Sequence, residues 1–181
     1  MEFSKTSNLY SLNKSTYVAL RWIAYIGQVI AILVVQFFLE YSFNYFECFI
    51  IIFFNILKNI YLQFKIKNIL LNNSTSTIYL SFDILQLGAL FFFTGGITNP
   101  FIFLIIIPAV FSSQYLSFFS STILVIIIVT TLAFLSFYYH DLPSPDKIHF
   151  HVPDYYLYAI PLSIIIGLIF LVYFGFKFGE E

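Results

Sequence analysis

The feature that most constrains this chain is a series of apolar stretches, each close to the length that crosses a lipid bilayer. A transmembrane helix needs about 20 predominantly apolar residues. With 60 % hydrophobic and 9 % charged residues, the chain lies outside the composition of soluble proteins. We therefore predict an all-α integral membrane bundle of six transmembrane helices, at residues 20–39, 43–62, 78–94, 100–116, 119–139 and 156–176.

Two of these stretches are weaker than the others. The second is interrupted by Asn55, Lys58 and Asn59. The fourth is short, and Pro108 is expected to kink it because proline removes a helical hydrogen bond. Both are still predicted to cross the membrane.

The basic residues orient the bundle. If the N-terminus is cytoplasmic, seven of the eight Lys and Arg residues lie on the inner side, and Lys147 alone lies outside. This bias follows the positive-inside rule. We predict cytoplasmic N- and C-termini, with a cytoplasmic segment at 1–19, a transmembrane domain at 20–176, a cytoplasmic end at 177–181, and an outer loop at 140–155.

The sequence excludes several classes of function. The net charge is −1 and the chain has no Lys/Arg run, so nucleic acid is not an expected partner. A single cysteine, Cys48, excludes an intramolecular disulfide and a thiolate zinc site, and we expect it to be a buried small hydrophobe. No nucleotide-binding or hydrolase motif is present, so we predict no catalytic residue in this chain.

The stretch FFFTGGITNPF, residues 91–101, predicts a tight hairpin between the third and fourth helices. Gly95 and Gly96 can adopt positive φ, Asn99 suits an N-cap, and Pro100 suits the first helical position. The N–H groups of the following turn could then bind a carbonyl oxygen, such as that of a quinone, with Phe101 or Phe93 covering the ring. The alternative is that the hairpin is only an economical turn.

Polar residues within the predicted helices form a second group of interest. Asp83 and Gln86 share a face that leads toward the glycines, and either a coupling role or simple contact between helices would explain them. Asp83 lies about 16 Å below Thr94 at 1.5 Å per residue, too far to touch a ligand at the hairpin. Other polar residues predicted to bond between helices are Gln28, Asn55 and Asn59.

The outer loop contains all three histidines of the chain. His149 and His151 could chelate a metal together with His140 or Asp154. The prolines and charges of the loop equally suit a solvated connection. We predict no metal site.

Several of these residues form a recognisable pattern. Gly95, Gly96, Asn99, Pro100 and Phe101 follow the spacing G-G-x-x-N-P-F, and FDILQLGAL at 82–90 precedes them. LRW at 20–22 is followed by a Gly-Gln pair, and HDLP occurs at 140–143. The pattern resembles the membrane sensor region of the RegB (also PrrB, ActS) redox-sensing histidine kinases, whose heptad lies between the third and fourth spans.

The resemblance implies a function and partners. It implies a bacterial inner-membrane sensor that binds ubiquinone through Gly95, Gly96, Asn99, Pro100 and Phe101, and whose kinase activity follows the redox state of the quinone. It also implies a homodimer and a response regulator. In that family a kinase region with the phospho-accepting His and the ATP site follows the sixth span. Because this sequence ends at KFGEE, we expect ATP to bind only in that further region. We expect this chain alone to lack kinase activity.

Two other functions remain open at this stage. A small multi-pass transporter or channel subunit could use Asp83, Gln86 and Asn55 as a polar pathway. A structural subunit of a respiratory complex would need no ligand site of its own.

Overall fold

The computed structural model describes residues 11–41, 43–141 and 153–179, and nearly all of them are helical. Two short strands, β1 (Ser11–Asn13) and β2 (Leu70–Asn72), form one antiparallel ladder. A π-helical turn, Val34–Phe38, extends the first helix, and two 3₁₀ segments, Gly96–Thr98 and Ile102–Ile106, precede the fourth. The α-helices are α1 (Lys14–Leu33), α2 (Tyr45–Lys65), α3 (Asn73–Phe93), α4 (Ile107–Tyr115), α5 (Phe118–Phe137) and α6 (Asp154–Gly179).

Five helices are long and apolar enough to cross a membrane: Lys14–Phe38, Tyr45–Lys65, Asn73–Phe93, Phe118–Phe137 and Tyr155–Lys177. The fourth predicted stretch falls short of this criterion, since its helical part is only Ile102–Tyr115. At about 2.0 Å per residue in the 3₁₀ part and 1.5 Å in the α part it spans roughly 23 Å, against about 30 Å of hydrocarbon. The prediction of six full-length helices is therefore not confirmed.

Asparagine and serine side chains start three of the helices. Oδ1 of Asn13 accepts from the amides of Ser15 and Thr16, at 3.0 and 3.3 Å. Asn72 caps α3 and Ser117 caps α5 in the same manner. These caps extend α1 and α3 by several polar residues beyond the stretches predicted from hydropathy, because a satisfied first turn permits polar residues to be helical.

The ladder places the beginnings of α1 and α3 at one end of the bundle. Leu12 and Leu71 face each other in the register and are both buried. At the same end, Nζ of Lys14 donates to the carbonyl of Ile66 at 2.6 Å, where a cation complements the end of α2. Asn73 also bonds to Ser117 at 2.9 Å, so the start of α5 lies here too. We name this the ladder end.

The core lies around α3. Helix α5 contributes a buried stripe to this core, which includes Leu124, Ile128, Leu132 and Leu135. A second apolar cluster joins α1, α2 and α3 and contains Cys48, which is fully buried as predicted.

The fourth segment changes helix type at Pro108. Residues Ile102–Ile106 form a 3₁₀ helix, and Pro108 lies in the first turn of α4, where it has no helical partner to lose. The proline predicted to bend a continuous helix therefore marks the beginning of one. Helix α6 packs closely here, since a Cβ on Gly175 would lie 1.9 Å from Oγ of Ser113.

Candidate ligand-binding cleft

A cleft of about 760 Å³ lies between α1, α3 and residues 99–111. Most of its wall is apolar and includes Leu20, Ala24, Leu87, Leu104 and Phe111. One end is formed by the hairpin that follows α3, and the other approaches the ladder end of the bundle. An elongated apolar cavity with polar groups at a few positions is the usual form of a small-molecule site.

The glycine pair closes the hairpin as predicted. Gly95 has φ 98° and Gly96 has φ 56°, so both adopt backbone conformations that other residues rarely take. A Cβ on Gly96 would also lie 2.4 Å from the side chain of Tyr139. Partial burial raises the pKa of Tyr139 above its usual value, and the carboxylate of Asp141 adds to the effect. The neutral phenol thus packs directly on the turn.

Asn99 holds the hairpin together through both ends of its side-chain amide. Its Oδ1 accepts from the amide of Phe101 at 2.8 Å, the bond expected of an N-cap. Its Nδ2 donates to the carbonyl and hydroxyl oxygens of Thr94, at 2.7 and 2.9 Å. The backbone carbonyl of Asn99 accepts from Ile102 at 3.0 Å. The regular 3₁₀ helix begins two residues later than predicted, at Ile102.

These bonds change how the hairpin could meet a ligand. The amides of Phe101 and Ile102, which were expected to face a carbonyl oxygen, are already bonded to Asn99. The side-chain amide of Asn99 is also occupied. The hairpin therefore offers a ligand shape and apolar surface rather than free donors.

The five heptad residues divide into two groups. Asn99, Pro100 and Phe101 line the cleft, and the ring of Phe101 is half exposed, at 49 %. Gly95 and Gly96 do not line it. They form the turn that brings the other three to the end of the cleft.

His140 is joined to the hairpin, which the sequence did not predict. Its backbone carbonyl accepts from Gly95 at 3.1 Å, and its amide donates to Phe92 at 2.8 Å. Its ring stacks on Phe93, with centroids 5.5 Å apart. His149, His151 and the side chain of Asp154 lie outside the described residues, and within the described part of the chain no group of His, Cys, Asp and Glu could hold a metal.

Midway along the cleft, Gln86 of α3 donates to Oε1 of Gln28 of α1 at 2.9 Å. Both residues line the cleft. Within the described chain, neither Nε2 of Gln28 nor Oε1 of Gln86 has a hydrogen-bond partner. The pair thus has one donor group and one acceptor available.

A charged cluster joins three helices near the other end of the cleft. Oδ1 of Asp83 lies 2.9 Å from Nη2 of Arg21 and 3.3 Å from Nζ of Lys58. Oδ2 of Asp83 accepts a short hydrogen bond from the hydroxyl of Tyr17. The side chains of Arg21, Lys58 and Asp83 are 5, 21 and 15 % exposed. We call these four residues the charged cluster.

Asp83 lies deeper in its helix than the sequence indicated. Helix α3 begins at Asn73, so Asp83 is ten residues, or about 15 Å, along it. Its contacts cross between helices, which agrees with the interhelical role considered above, while a coupling role stays a prediction.

Sequence reasoning missed Tyr17, Arg21 and Lys58 as members of this cluster. Arg21 contributed to the positive-inside count and to the LRW pattern at 20–22, and Lys58 contributed to that count and to the interruption of the second stretch, but neither was linked to Asp83. The available signal was the four-residue spacing of Tyr17, Arg21 and Tyr25, which puts all three on one face of a helix.

Of the other polar residues predicted to bond between helices, Gln28 and Asn59 do so through their side chains, and Asn55 does not. Gln28 bonds between helices as described, and Asn59 of α2 donates to the carbonyl of Val18 at 3.5 Å, a long bond. Asn55 instead donates to Ile51 of its own helix, while its backbone carbonyl accepts from Tyr25.

Comparison with known proteins gives one curated relative. The chain is 32 % identical over 157 residues, or 86 % of its length, to sensor histidine kinase RegB of Cereibacter sphaeroides. It spans about a third of the length of that relative (34 %). No protein-family model matches the chain, and no solved structure matches it.

The relationship to RegB agrees with the family that the residues around the hairpin resemble. It also agrees with a bundle in which five helices are apolar enough to cross a membrane. The chain is a multi-pass inner-membrane protein that is similar, over most of its own length, to a part of sensor histidine kinase RegB.

Proposed function

We propose that the chain is the membrane sensor module of a redox-responsive histidine kinase and that it binds ubiquinone in the cleft. The observation that carries the proposal is the position of the cleft. One long apolar cavity ends at Asn99, Pro100 and Phe101, three of the residues for which the family resemblance implies quinone binding.

The proposed ring position is in the cleft between Phe101 and the glutamine pair of Gln28 and Gln86. The half-exposed phenyl ring and the rigid Pro100 offer an apolar surface against which a flat ring can pack. Because Asn99 is engaged within the hairpin, it positions Phe101 rather than donating to the ligand. The isoprenoid tail would follow the apolar wall toward Leu104 and Phe111.

The glutamine pair is the proposed polar contact. The amino group of Gln28 can donate to a quinone carbonyl, and the amide oxygen of Gln86 can accept from a quinol hydroxyl. Both lie on the cleft wall. A side-chain amide pair can thus bond to either redox form, and a difference between the two bonds would give the protein a means to distinguish them.

The orientation is part of the proposal. We place the hairpin at the outer face and the ladder end at the cytoplasmic face, with both termini cytoplasmic. Residues 102–115, the fourth segment, would then be a short additional crossing that carries the chain back to the ladder end. This agrees with Lys14 and Lys65 at the ladder end, where the positive-inside rule expects cations.

The remaining functions follow from the family and concern a longer protein. They include a homodimer, a cytoplasmic kinase region that uses ATP, and a response regulator as phosphate acceptor. Helix α6, which ends at Gly179, is the proposed route by which the cleft would influence that region.

The transporter alternative has less support from the geometry. It requires Asp83, Gln86 and Asn55 to form one polar pathway. Asn55 bonds within its own helix and is absent from the cleft wall, whereas Asp83 and Gln86 line it.

Equilibrium binding of a ubiquinone analogue to purified protein tests the proposal. Phe101→Ala should weaken binding about tenfold, the effect of losing roughly 1.4 kcal/mol of ring contact. Phe103→Ala is the matched control, because Phe103 is similarly exposed, at 53 %, two residues away, but does not line the cleft. If Phe101→Ala and wild type bind the ubiquinone analogue with equal affinity, the proposed site is wrong.

Asn99→Ala gives a second arm of the same experiment. The variant frees the amide of Phe101 and the oxygens of Thr94, so it should weaken binding by disordering the hairpin. Its loss of affinity should be accompanied by a lower unfolding temperature, whereas Phe101→Ala should leave that temperature nearly unchanged.

A further inference from the structure

The charged cluster carries an unbalanced charge. Arg21 and Lys58 are cationic and Asp83 is the only acid they contact among the described residues, so the cluster has a net charge of +1. The hydroxyl of Tyr17 adds a donor but no charge. A net charge within a membrane bundle is costly unless a counter-charge lies close to it.

The N–H groups of Arg21 make no well-aligned hydrogen bond among the described residues. Its Nη2 is 2.9 Å from Oδ1 of Asp83, but its N–H groups do not point at this oxygen. The two residues therefore form an ion pair without a hydrogen bond. Among the described residues, Nε, Nη1 and Nη2 of Arg21 have no hydrogen-bond partner, although the residue is only 4 % exposed. The rings of Tyr17 and Tyr25 lie 5.2 and 5.6 Å from the guanidinium carbon and compensate it only in part.

The cluster borders the cleft. Tyr17, Arg21 and Asp83 all line it, and the apolar residues Ala24 and Leu87 follow them along α1 and α3 on the same wall. A ligand that satisfied Arg21 would therefore have an anionic group at one end and an apolar chain that follows the cleft.

The depth of the cluster fits a lipid of one leaflet. Arg21 lies seven residues after Lys14, and Lys58 lies seven residues before Lys65, so each is about 10 Å from the ladder end of its helix. The first span, Lys14–Phe38, has 25 residues and at about 37 Å exceeds the hydrocarbon thickness of about 30 Å. Arg21 therefore lies about 4–10 Å inside the membrane boundary, a depth from which its long side chain can extend toward a phosphate group.

We propose that an anionic phospholipid binds at this end of the cleft, with its phosphate against Arg21 and an acyl chain along the apolar wall. The phosphate supplies the charge that the cluster lacks. Because the guanidinium nitrogens are buried, the Arg21 side chain would turn toward the cleft to donate to the phosphate. Basic pockets between transmembrane helices on the cytoplasmic side commonly bind anionic headgroups in this way.

The bound lipid would share the cleft with the proposed quinone. An acyl chain that extends from Arg21 toward Gln28 occupies the space that a quinone tail would use. Anionic lipid should therefore lower the apparent affinity for quinone by competition. Lipid binding does not depend on the quinone proposal, because it can be measured with no quinone present.

The single tryptophan, Trp22, allows a test: it does not itself line the cleft, but its ring lies 6.2 Å from that of Tyr25, which does. Purified protein is titrated with phosphatidylglycerol carrying brominated acyl chains, and quenching of Trp22 is recorded. Phosphatidylcholine with the same chains is the second probe, and inorganic phosphate is the third. We expect half-maximal quenching at about tenfold less phosphatidylglycerol than phosphatidylcholine, and no competition by millimolar phosphate, which would identify the lipid as the source of the anionic group.

Arg21→Gln should abolish the preference for phosphatidylglycerol. Lys65→Gln is the matched control, because Lys65 is a basic residue at the end of α2 that does not contact the cluster. If Arg21→Gln does not fold, Lys58→Gln removes the same unit of charge from a partly exposed position and should reduce the preference several-fold. Equal quenching by both lipids in wild type, or an unchanged preference in the cluster variants, would overturn the proposal.

Discussion

At the hairpin end of the cleft, the side chain of Asn99 reaches partners at most five residues away, whereas at the other end Asp83 draws on Lys58 and Tyr17, 25 and 66 positions distant. The hairpin satisfies its polar groups locally and leaves an apolar surface toward the cleft. The charged cluster leaves Arg21 with unused donors. The comparison indicates that the hairpin motif shapes the cleft, whereas polar groups that could bond to a ligand lie at other positions along the cleft.

The largest expected effect comes from removing the one acid of the charged cluster. Asp83→Asn leaves Arg21 and Lys58 adjacent with no counter-charge, and loss of one partner from a buried ion pair costs about 3 kcal/mol or more. We expect a corresponding fall in the free energy of unfolding, measured by denaturant titration in detergent micelles.

A double variant separates charge from packing. Arg21→Gln combined with Asp83→Asn removes one charge of each sign and should recover part of the lost stability. If the double variant is less stable than Asp83→Asn alone, then the pair is held by contacts other than charge, and the contrast between the two ends of the cleft is weakened.

A somewhat smaller effect is expected at the hairpin. In Gly96→Ala the new Cβ would meet Tyr139, and the residue would keep a positive φ, which costs about 1–3 kcal/mol for a non-glycine residue. Thermal unfolding should show the loss. Gly167→Ala is the control, since no atom lies within 4 Å of its added Cβ and alanine favours a helix. Equal stability of the two variants would contradict the close packing of Tyr139 on the turn.

The smallest effect is expected for the glutamine pair. Hydrogen bonds between transmembrane helices contribute about 0.6–2 kcal/mol, so Gln86→Leu should destabilise the bundle only slightly. A double-mutant cycle with Gln28→Leu should give a coupling energy in that range. If the pair contacts quinone as proposed, both single variants should weaken quinone binding more than they weaken the fold. Equal losses would assign the pair a structural role alone.

The same contrast explains what could be predicted from the sequence. The hairpin was predictable because its signals are local: two glycines for positive φ, and an asparagine and a proline for the helix start. The charged cluster was not, because its members lie on three helices and no spacing rule relates Arg21 or Lys58 to Asp83. The four-residue repeat of Tyr17, Arg21 and Tyr25 gave only the face of α1 that turns inward.

The helices show a similar limit. Hydropathy located five long helices, but it could not show that the helical part of the fourth stretch, 102–115, is too short to cross the membrane as an α-helix. The hydropathy of an apolar residue is the same in a turn, a 3₁₀ helix and an α-helix. The starts of α1 and α3 were placed too late, since capped polar turns are helical without being hydrophobic. The cleft itself was unpredictable from sequence, because it depends on the separation between α1 and the fourth segment.

Photoaffinity labelling with an azido-quinone, followed by mass spectrometry of the labelled peptides, tests most directly whether quinone binds in the cleft. We predict labels within residues 99–111 and on the cleft face of α1, and their disappearance in the presence of excess ubiquinone. A second, smaller cavity of about 440 Å³ beside Thr130 and Phe134 serves as the internal comparison. Labels confined to that cavity, or labels that excess ubiquinone does not displace, would contradict the account.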